Sequence, residues 1–330
     1  MKKVILLILF QAFCTAGFSQ SLPPDMTGGI YFQRTNLVVR WKASQHPWPK
    51  TLSVLSMVPT KYSPAVISNL MALGSFTEKD KTDYGTNGIP AIFFSKSGRI
   101  LALTFTLGEI HYNLRDYSWS ANLAKDVPTT NQLFQLTTNF LQKLGVNLSE
   151  IAKGKNGKPE ITCLEHEIYI YPKDTNIELT NIDRGEAHFH RTIDGASFIY
   201  PGGSGEIDFG EYGQITKIDI YWPSYERVNQ YSAAMPKKII QWIHEGRAGQ
   251  KHIIQANGPE IFIDWATAKS LTIEKAVAYY DVDFFDFERL ERPIFPSYAH
   301  PYAELWGTVD TGTTNIPVVL DCPIIDERKP

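Results

Sequence analysis

Cysteine is scarce in this chain, with three in 330 residues. One of them, Cys14, lies in the first twenty positions, so cross-linking in the rest is limited to a single bridge. Two readings of Cys163 and Cys322 stay open: one disulfide tying the C-terminus to the middle of the chain, or two unpaired thiols. Charge is modest, at 20 % of residues, and slightly acidic, with 32 basic side chains against 35 acidic ones. That balance argues against nucleic acid or anionic lipid as the main partner. Beyond residue 20 no apolar run is long enough for a membrane helix. No segment is low in complexity.

What is present first is an amino-terminal pattern. "MKKVILLILFQAFCTAGFSQ" places two lysines before an apolar run from Val4 to Phe10, followed by small residues. This is the order of a secretory signal, and it predicts residues 1–20 as a signal peptide cut near Ala16 to Gln20. A lipid-modified Cys14 fits less well, because Phe13 stands where a small residue is needed. Loss of the two lysines moves the formal net charge from -3 to -5. The mature chain is expected to be secreted or periplasmic, without an integral membrane segment.

About 310 residues suffice for two or three domains. "SPAVISNLMALGSF" reads as a helix, with Ser63 as cap and Pro64 in the first turn. "PTTNQLFQLTTNFLQKLGVN" reads as a second, with Thr129 and Gln132 at capping-box spacing and Leu133, Leu136, Phe140 and Leu144 as one apolar stripe. "PKKIIQWIHEG" gives a third, with Ile239, Ile240 and Ile243 as its buried face. Between and after them, β-branched and aromatic runs flank glycine turns. "TIEKAVAYYDV" is helix-like or extended. These signals predict an N-terminal α+β module over 21–125, a second over 126–250 and a β-rich C-terminal region over 251–330. "SGRILALTF" and "YGQITKIDI" add a faint internal echo.

The chemical candidates are few. "PGGSGE" lacks the glycine two positions after Ser204 that a nucleophile elbow needs, and no lysine makes it a phosphate loop. It is expected to be a hairpin or bulged connection, with Gly213 supplying a positive φ in the next turn. "HFH" places His188 and His190 on one face of a strand, with His166 on the preceding strand as a possible third metal ligand. "HEIYI" and "HEGRA" begin His-Glu but lack the second histidine one helical turn on, which removes the zinc-protease reading. Asp281, Asp283, Asp286 and Glu288 offer oxygens without the spacing or central glycine of a calcium loop. "WPSY" and "FPSYAHPYAELW" either line a peptide or sugar groove or pack in a core.

One stretch resembles a known family. The helix "LFQLTTNFLQKLG" followed by "HRTIDGASFIYPGGSGEIDFGEYGQITKI" looks like the PepSY-type fold and the related propeptides of thermolysin-like proteases. Arg191, Gly195, the Gly202–Gly203 turn, Ile207, Phe209, Gly213, Ile215 and Ile218 carry that resemblance. It covers about a third of the chain. It implies an α+β fold of tandem PepSY-like modules, with helices packed on antiparallel sheets, that binds, restrains or helps fold a partner and does no catalysis. No protease domain follows, which departs from the propeptide pattern. The resulting expectation is a non-catalytic binding or regulatory protein with no cofactor and no metal. Its partner would be a protein or peptide of the envelope or outside the cell, a peptidase being one fitting class. The competing expectation is a metal-assisted hydrolase centred on His188 and His190.

Overall fold

The computed structural model describes residues 30–31, 35–43, 48–82, 91–114, 125–154, 156–170, 179–198, 202–251, 263–282 and 298–326. The signal-like segment over 1–20 lies outside them. Among the described residues no helix is long and apolar enough to cross a membrane.

Strands dominate. In chain order they are β1 (Ile30–Tyr31), β2 (Val38–Trp41), β3 (Thr51–Val58), β4 (Lys81–Thr82), β5 (Ala91–Lys96) and β6 (Arg99–Thr104). There follow β7 (Glu109–Leu114), β8 (Ile161–Ile170), β9 (Leu179–His190), β10 (Thr192–Ile193), β11 (Ala196–Phe198) and β12 (Ser204–Phe209). The last are β13 (Ile215–Tyr221), β14 (Ser224–Ser232), β15 (Gly249–Gln250), β16 (Ser270–Val282), β17 (Tyr298–Asp310) and β18 (Asn315–Pro323). Three α-helices accompany them: α1 (Pro64–Leu73), α2 (Thr130–Lys143) and α3 (Pro236–His244). "TIEKAVAYYDV" is therefore a strand, inside β16.

The chain forms two compact units. One comprises the described residues of Met1–Ser53, Asn229–Tyr279 and Pro301–Pro330. In it β1, β15, β18, β17 and β16 follow one another side by side, and β2 pairs with β16 in parallel. Helix α3 lies against β18. It buries Ile239, Trp242 and Ile243, with Trp242 taking the place expected of Ile240.

The other unit comprises Val54–Val228 and Tyr280–His300. Its centre is an eight-stranded sheet in the order β4-β5-β6-β7-β13-β12-β9-β8, antiparallel throughout. Two-residue turns set its local geometry. Ser97 and Gly98 both have positive φ, as do Asp194 and Gly195, which matches the twist of hairpin strands. Gly213 has φ +72°, as expected, and the exposed Tyr212 before it shares the left-handed region.

The expected α+β fold of tandem PepSY-like modules, with helices packed on antiparallel sheets, is overturned. The described residues are mostly β, with 52 % strand against 19 % helix and two large sheets. The reason lies at the supposed module boundary. β7 and β13 pair over five residues, Lys217 with Asn113 through Tyr221 with Glu109. Both strands alternate apolar and polar residues in the same phase, so their main-chain edges join without a break and one face stays apolar throughout.

That apolar face makes one core. Ile207, Phe209 and Ile218 are buried in it with Leu70, Leu101, Tyr112, Leu133 and Leu141, while Leu136 and Phe140 pack at its margin. The helix stripe is rotated from the expected one, since Leu133, Thr137 and Leu141 are the buried residues of α2. Leu133, common to both stripes, fits against Gly185. A Cβ there would come within 2.6 Å of both Leu133 methyls, so the glycine leaves a hollow that the leucine fills. Gly205 does the same for its cross-strand partner Phe189, whose ring tip would lie 2.1 Å from an added Cβ. Leu133→Ala should lower the unfolding free energy by about 2–5 kcal/mol, since a rigid sheet cannot collapse into the space. Urea unfolding read by circular dichroism checks it, and an unchanged midpoint would contradict this packing.

Candidate binding face

The opposite face of the eight-stranded sheet carries the chemistry. In β9, Asp183, Gly185, Ala187 and Phe189 are buried, so Arg184, Glu186 and His188 point the other way and are half-buried, and His190 is exposed. Register sets their neighbours. Asp208 of β12 stands between Glu186 of β9 and Lys217 of β13, and Glu206 stands between His188 and Asp219. His111 of β7 lies beyond Asp219.

Two cations stitch the carboxylates together. Lys217 Nζ lies 2.7 Å from Glu206 Oε1 and 3.0 Å from Asp219 Oδ2. Arg184 lies 2.8 Å from Glu186 Oε1 and 3.5 Å from Asp208 Oδ2. His111 Nδ1 pairs with the other Asp219 oxygen. Even so, like charges stand directly opposite one another twice, Glu186 with Asp208 and Glu206 with Asp219, which is unfavourable in a sheet.

Protonation follows this geometry. Burial, with the Glu206 carboxylate next, pushes Asp208 up to about 7. Burial alone would raise Asp219 too, but hydrogen bonds from His111 and Lys217 outweigh it and hold the carboxyl low. Those carboxylates in turn raise Lys217 against the effect of its burial, and the hydrogen bond to Asp219 raises His111. Arg184 likewise keeps Glu186 below the usual range although burial opposes it.

The residues singled out from the sequence fall variously. His188 and His190 do share the face of β9, and His188 Nε2 lies 3.4 Å from Glu186 Oε2. His166 does not join them. It stands opposite Arg184, while Thr162 stands opposite His188, and its Nδ1 is 2.7 Å from Asp183. Among the described residues no group of three or more His, Cys, Asp or Glu is placed to hold a metal. Cys163 and Cys322 are both free, and burial raises each thiol. Asp281 sits exposed in β16, whereas Asp283, Asp286 and Glu288 lie outside the described residues. Of the second aromatic motif, Tyr302 is buried and Trp306 is 43 % exposed.

The glycine loop and "WPSY" meet at Arg191. Its Nε lies 2.8 Å from Glu150 Oε2, and its Nη1 donates to the Pro223 carbonyl. The guanidinium sits 5.0 Å from the Trp222 ring, 5.1 Å from Tyr225 and 5.7 Å from Phe198. Gly203 accepts the Arg191 backbone N–H at 2.8 Å, and a Cβ on Gly203 would come within 2.6 Å of the arginine's own Cβ. The Gly202 carbonyl accepts the Tyr225 hydroxyl. Ser204, next in line, opens β12 and is paired with His190 and Tyr221. The carboxylate lattice itself escaped sequence reasoning. Its signal was present in the alternation of "RGEAHFH", "GEIDF" and "TKIDIY", but the strand order was not.

No family model matches the chain, and no curated protein does. Among solved structures it is similar to the Bacillus megaterium YpeB C-terminal domain, with 10 % identity and a TM-score of 0.31 over 78 % of this chain and 99 % of that one. A likeness this low carries no weight for fold or function.

Two outcomes test the geometry. Asp208 is raised in the folded state, so the native protein holds its proton more tightly than the unfolded chain. Its contribution to stability is complete below the ordinary carboxyl range near pH 4 and is lost as pH rises through about 7. Asp208→Asn should remove that slope and gain on wild type between pH 5 and pH 8 in urea unfolding; a constant difference would refute the assignment. Arg191→Lys should cost on the order of 2–4 kcal/mol, because an ammonium cannot fork to Glu150 and Pro223 while stacking on the rings. An unfolding midpoint equal to wild type would show the cage to be incidental.

Proposed function

We propose that the chain is an exported, non-catalytic binding or regulatory protein acting on a protein or peptide of the cell envelope or the extracellular space. A peptidase is one class of partner that fits. The observation that supports this reading is the half-buried carboxylate lattice on β7, β13, β12 and β9, where two like-charge pairs stand in register at a cost to the sheet. Arg184 and Lys217 offset part of that cost, and local choices that oppose stability concentrate at functional sites. The lattice spreads over β13, β12 and β9, with His111 of β7 beyond them, which suits a macromolecular surface rather than one reacting atom. The competing metal-assisted hydrolase at His188 and His190 gains no support, since His166 is held elsewhere by Asp183.

The test is capture of partners from envelope extract by the mature protein, read by quantitative mass spectrometry. Wild type is compared with a Glu206→Lys/Asp219→Lys variant. The expected result is a partner enriched by wild type and reduced by roughly tenfold or more with the variant, as for loss of desolvated charge pairs. Equal recovery with both proteins would reject this face as the binding surface. Metal analysis of the same preparation, with His188→Ala and His190→Ala as controls, should give no stoichiometric metal.

A further inference from the structure

We infer that the segment received by this face is cationic, a lysine- or arginine-rich stretch of the partner laid over the row formed by Glu186, Asp208 and Glu206. The inference rests on the binding reading above and names the chemistry of the occupant. Charge complementarity is the first reason. Glu186, Glu206 and Asp219 bring three carboxylates and Asp208 a fourth carboxyl, raised to about 7, against the two permanent cations Arg184 and Lys217, with His111 beside Asp219. The second reason is independent of the count. The Asp208 side chain is only 8 % exposed, and its Oδ1 has no hydrogen-bond partner among the described residues although Oδ2 faces Arg184. A buried acceptor without a donor is a cost that a bound donor removes. Ammonium and guanidinium groups are donors only, so either one seated between Glu186 and Glu206 serves both carboxylates and approaches that oxygen. Leu164, opposite Glu186 on β8 and 50 % exposed, adds an apolar contact at the end of the row for the stem of such a side chain.

Lys217 makes the inference sharp, because it occupies Glu206 and Asp219 as an internal competitor for any incoming cation. Fluorescence anisotropy of the full chain with a labelled lysine octapeptide, a glutamate octapeptide and a Gly-Ser octapeptide provides the test. Binding of the lysine peptide alone is expected, weakening as salt rises to about 150 mM. Glu186→Gln/Glu206→Gln should weaken it by roughly tenfold or more, whereas the equally charged control Glu78→Gln/Glu160→Gln, on exposed carboxylates elsewhere, should change it less than about twofold. Lys217→Gln should tighten it severalfold, an effect that loss of folding cannot imitate. Equal binding of the three peptides, equal effects of the two double variants, or weaker binding by Lys217→Gln would each overturn the inference. If a partner is captured through this face from extract while the lysine peptide shows no preference, the cationic assignment fails and the binding reading stands. Loss of both removes both.

Discussion

The buried guanidinium of Arg191 is the constraint around which much of the second unit is arranged. A charge that is only 5 % exposed requires a counter-charge and donors satisfied on several sides. Glu150 supplies the first, from the short turn after α2, and the Pro223 carbonyl supplies an acceptor from the corner between β13 and β14. Three aromatic rings close the remaining sides, and Tyr280 stacks on Phe198 behind them at 4.9 Å. Burial lowers the arginine's pKa, and the Glu150 charge opposes that shift. The partners come from three separate stretches of chain, Glu150, Phe198 and "WPSY", so one side chain ties the end of β9, the β10–β11 hairpin and the start of β14 together. Gly203 of "PGGSGE" follows from the same demand, since the backbone there passes against the arginine's own Cβ.

From that anchored end the eight-stranded sheet divides its labour by face. The apolar side uses Gly185 and Gly205 as hollows, which admit Leu133 from α2 and Phe189 from the neighbouring strand. Substitution of volume there is felt at once because the core is close-packed. The polar side is held by ion pairs of intermediate exposure, each worth little alone but arranged as a chain from His111 to His188. Its carboxylates outnumber its cations because Asp208 and Asp219 both sit inside the sheet rather than at its rim. Opposite charges meet across the strands at Lys217 and Asp208, while Glu186 faces Asp208 and Glu206 faces Asp219, pairings that stability alone does not favour.

Sequence reading reached the local features with clear physical signatures. Thr129 and Gln132 form the capping box at the start of α2, and Ser63 caps α1. The Ser-Gly and Asp-Gly turns are where positive φ was required, and Gly213 has it. Misreadings arose where a neighbour distant in sequence decided the outcome. Leu133 and Leu144 are buried as expected, but Leu136 and Phe140 lie at the margin of the core while Thr137 and Leu141 are buried. In α3 Trp242 is buried and Ile240 only partly so, on a helix that lies against β18, far along the chain. The order of strands in the sheet was not legible, because alternation specifies a strand's faces and leaves its lateral partner open.

By itself, then, the amino-acid order determined the capped helices, the two-residue turns, the two-sided alternation of the strands and the modest acidic charge, all of which depend on residues within a few positions of one another. Tertiary structure decided the rest. It joined β7 to β13 into one sheet, gathered Glu150, Pro223 and the aromatic rings around Arg191, separated His166 from His188 and His190, and left both cysteines unpaired. It also set Glu186 against Asp208 and Glu206 against Asp219, which strand register alone can do. Main-chain hydrogen bonds between strands are indifferent to side-chain identity, so pairing is selected by the whole core and not by any one segment.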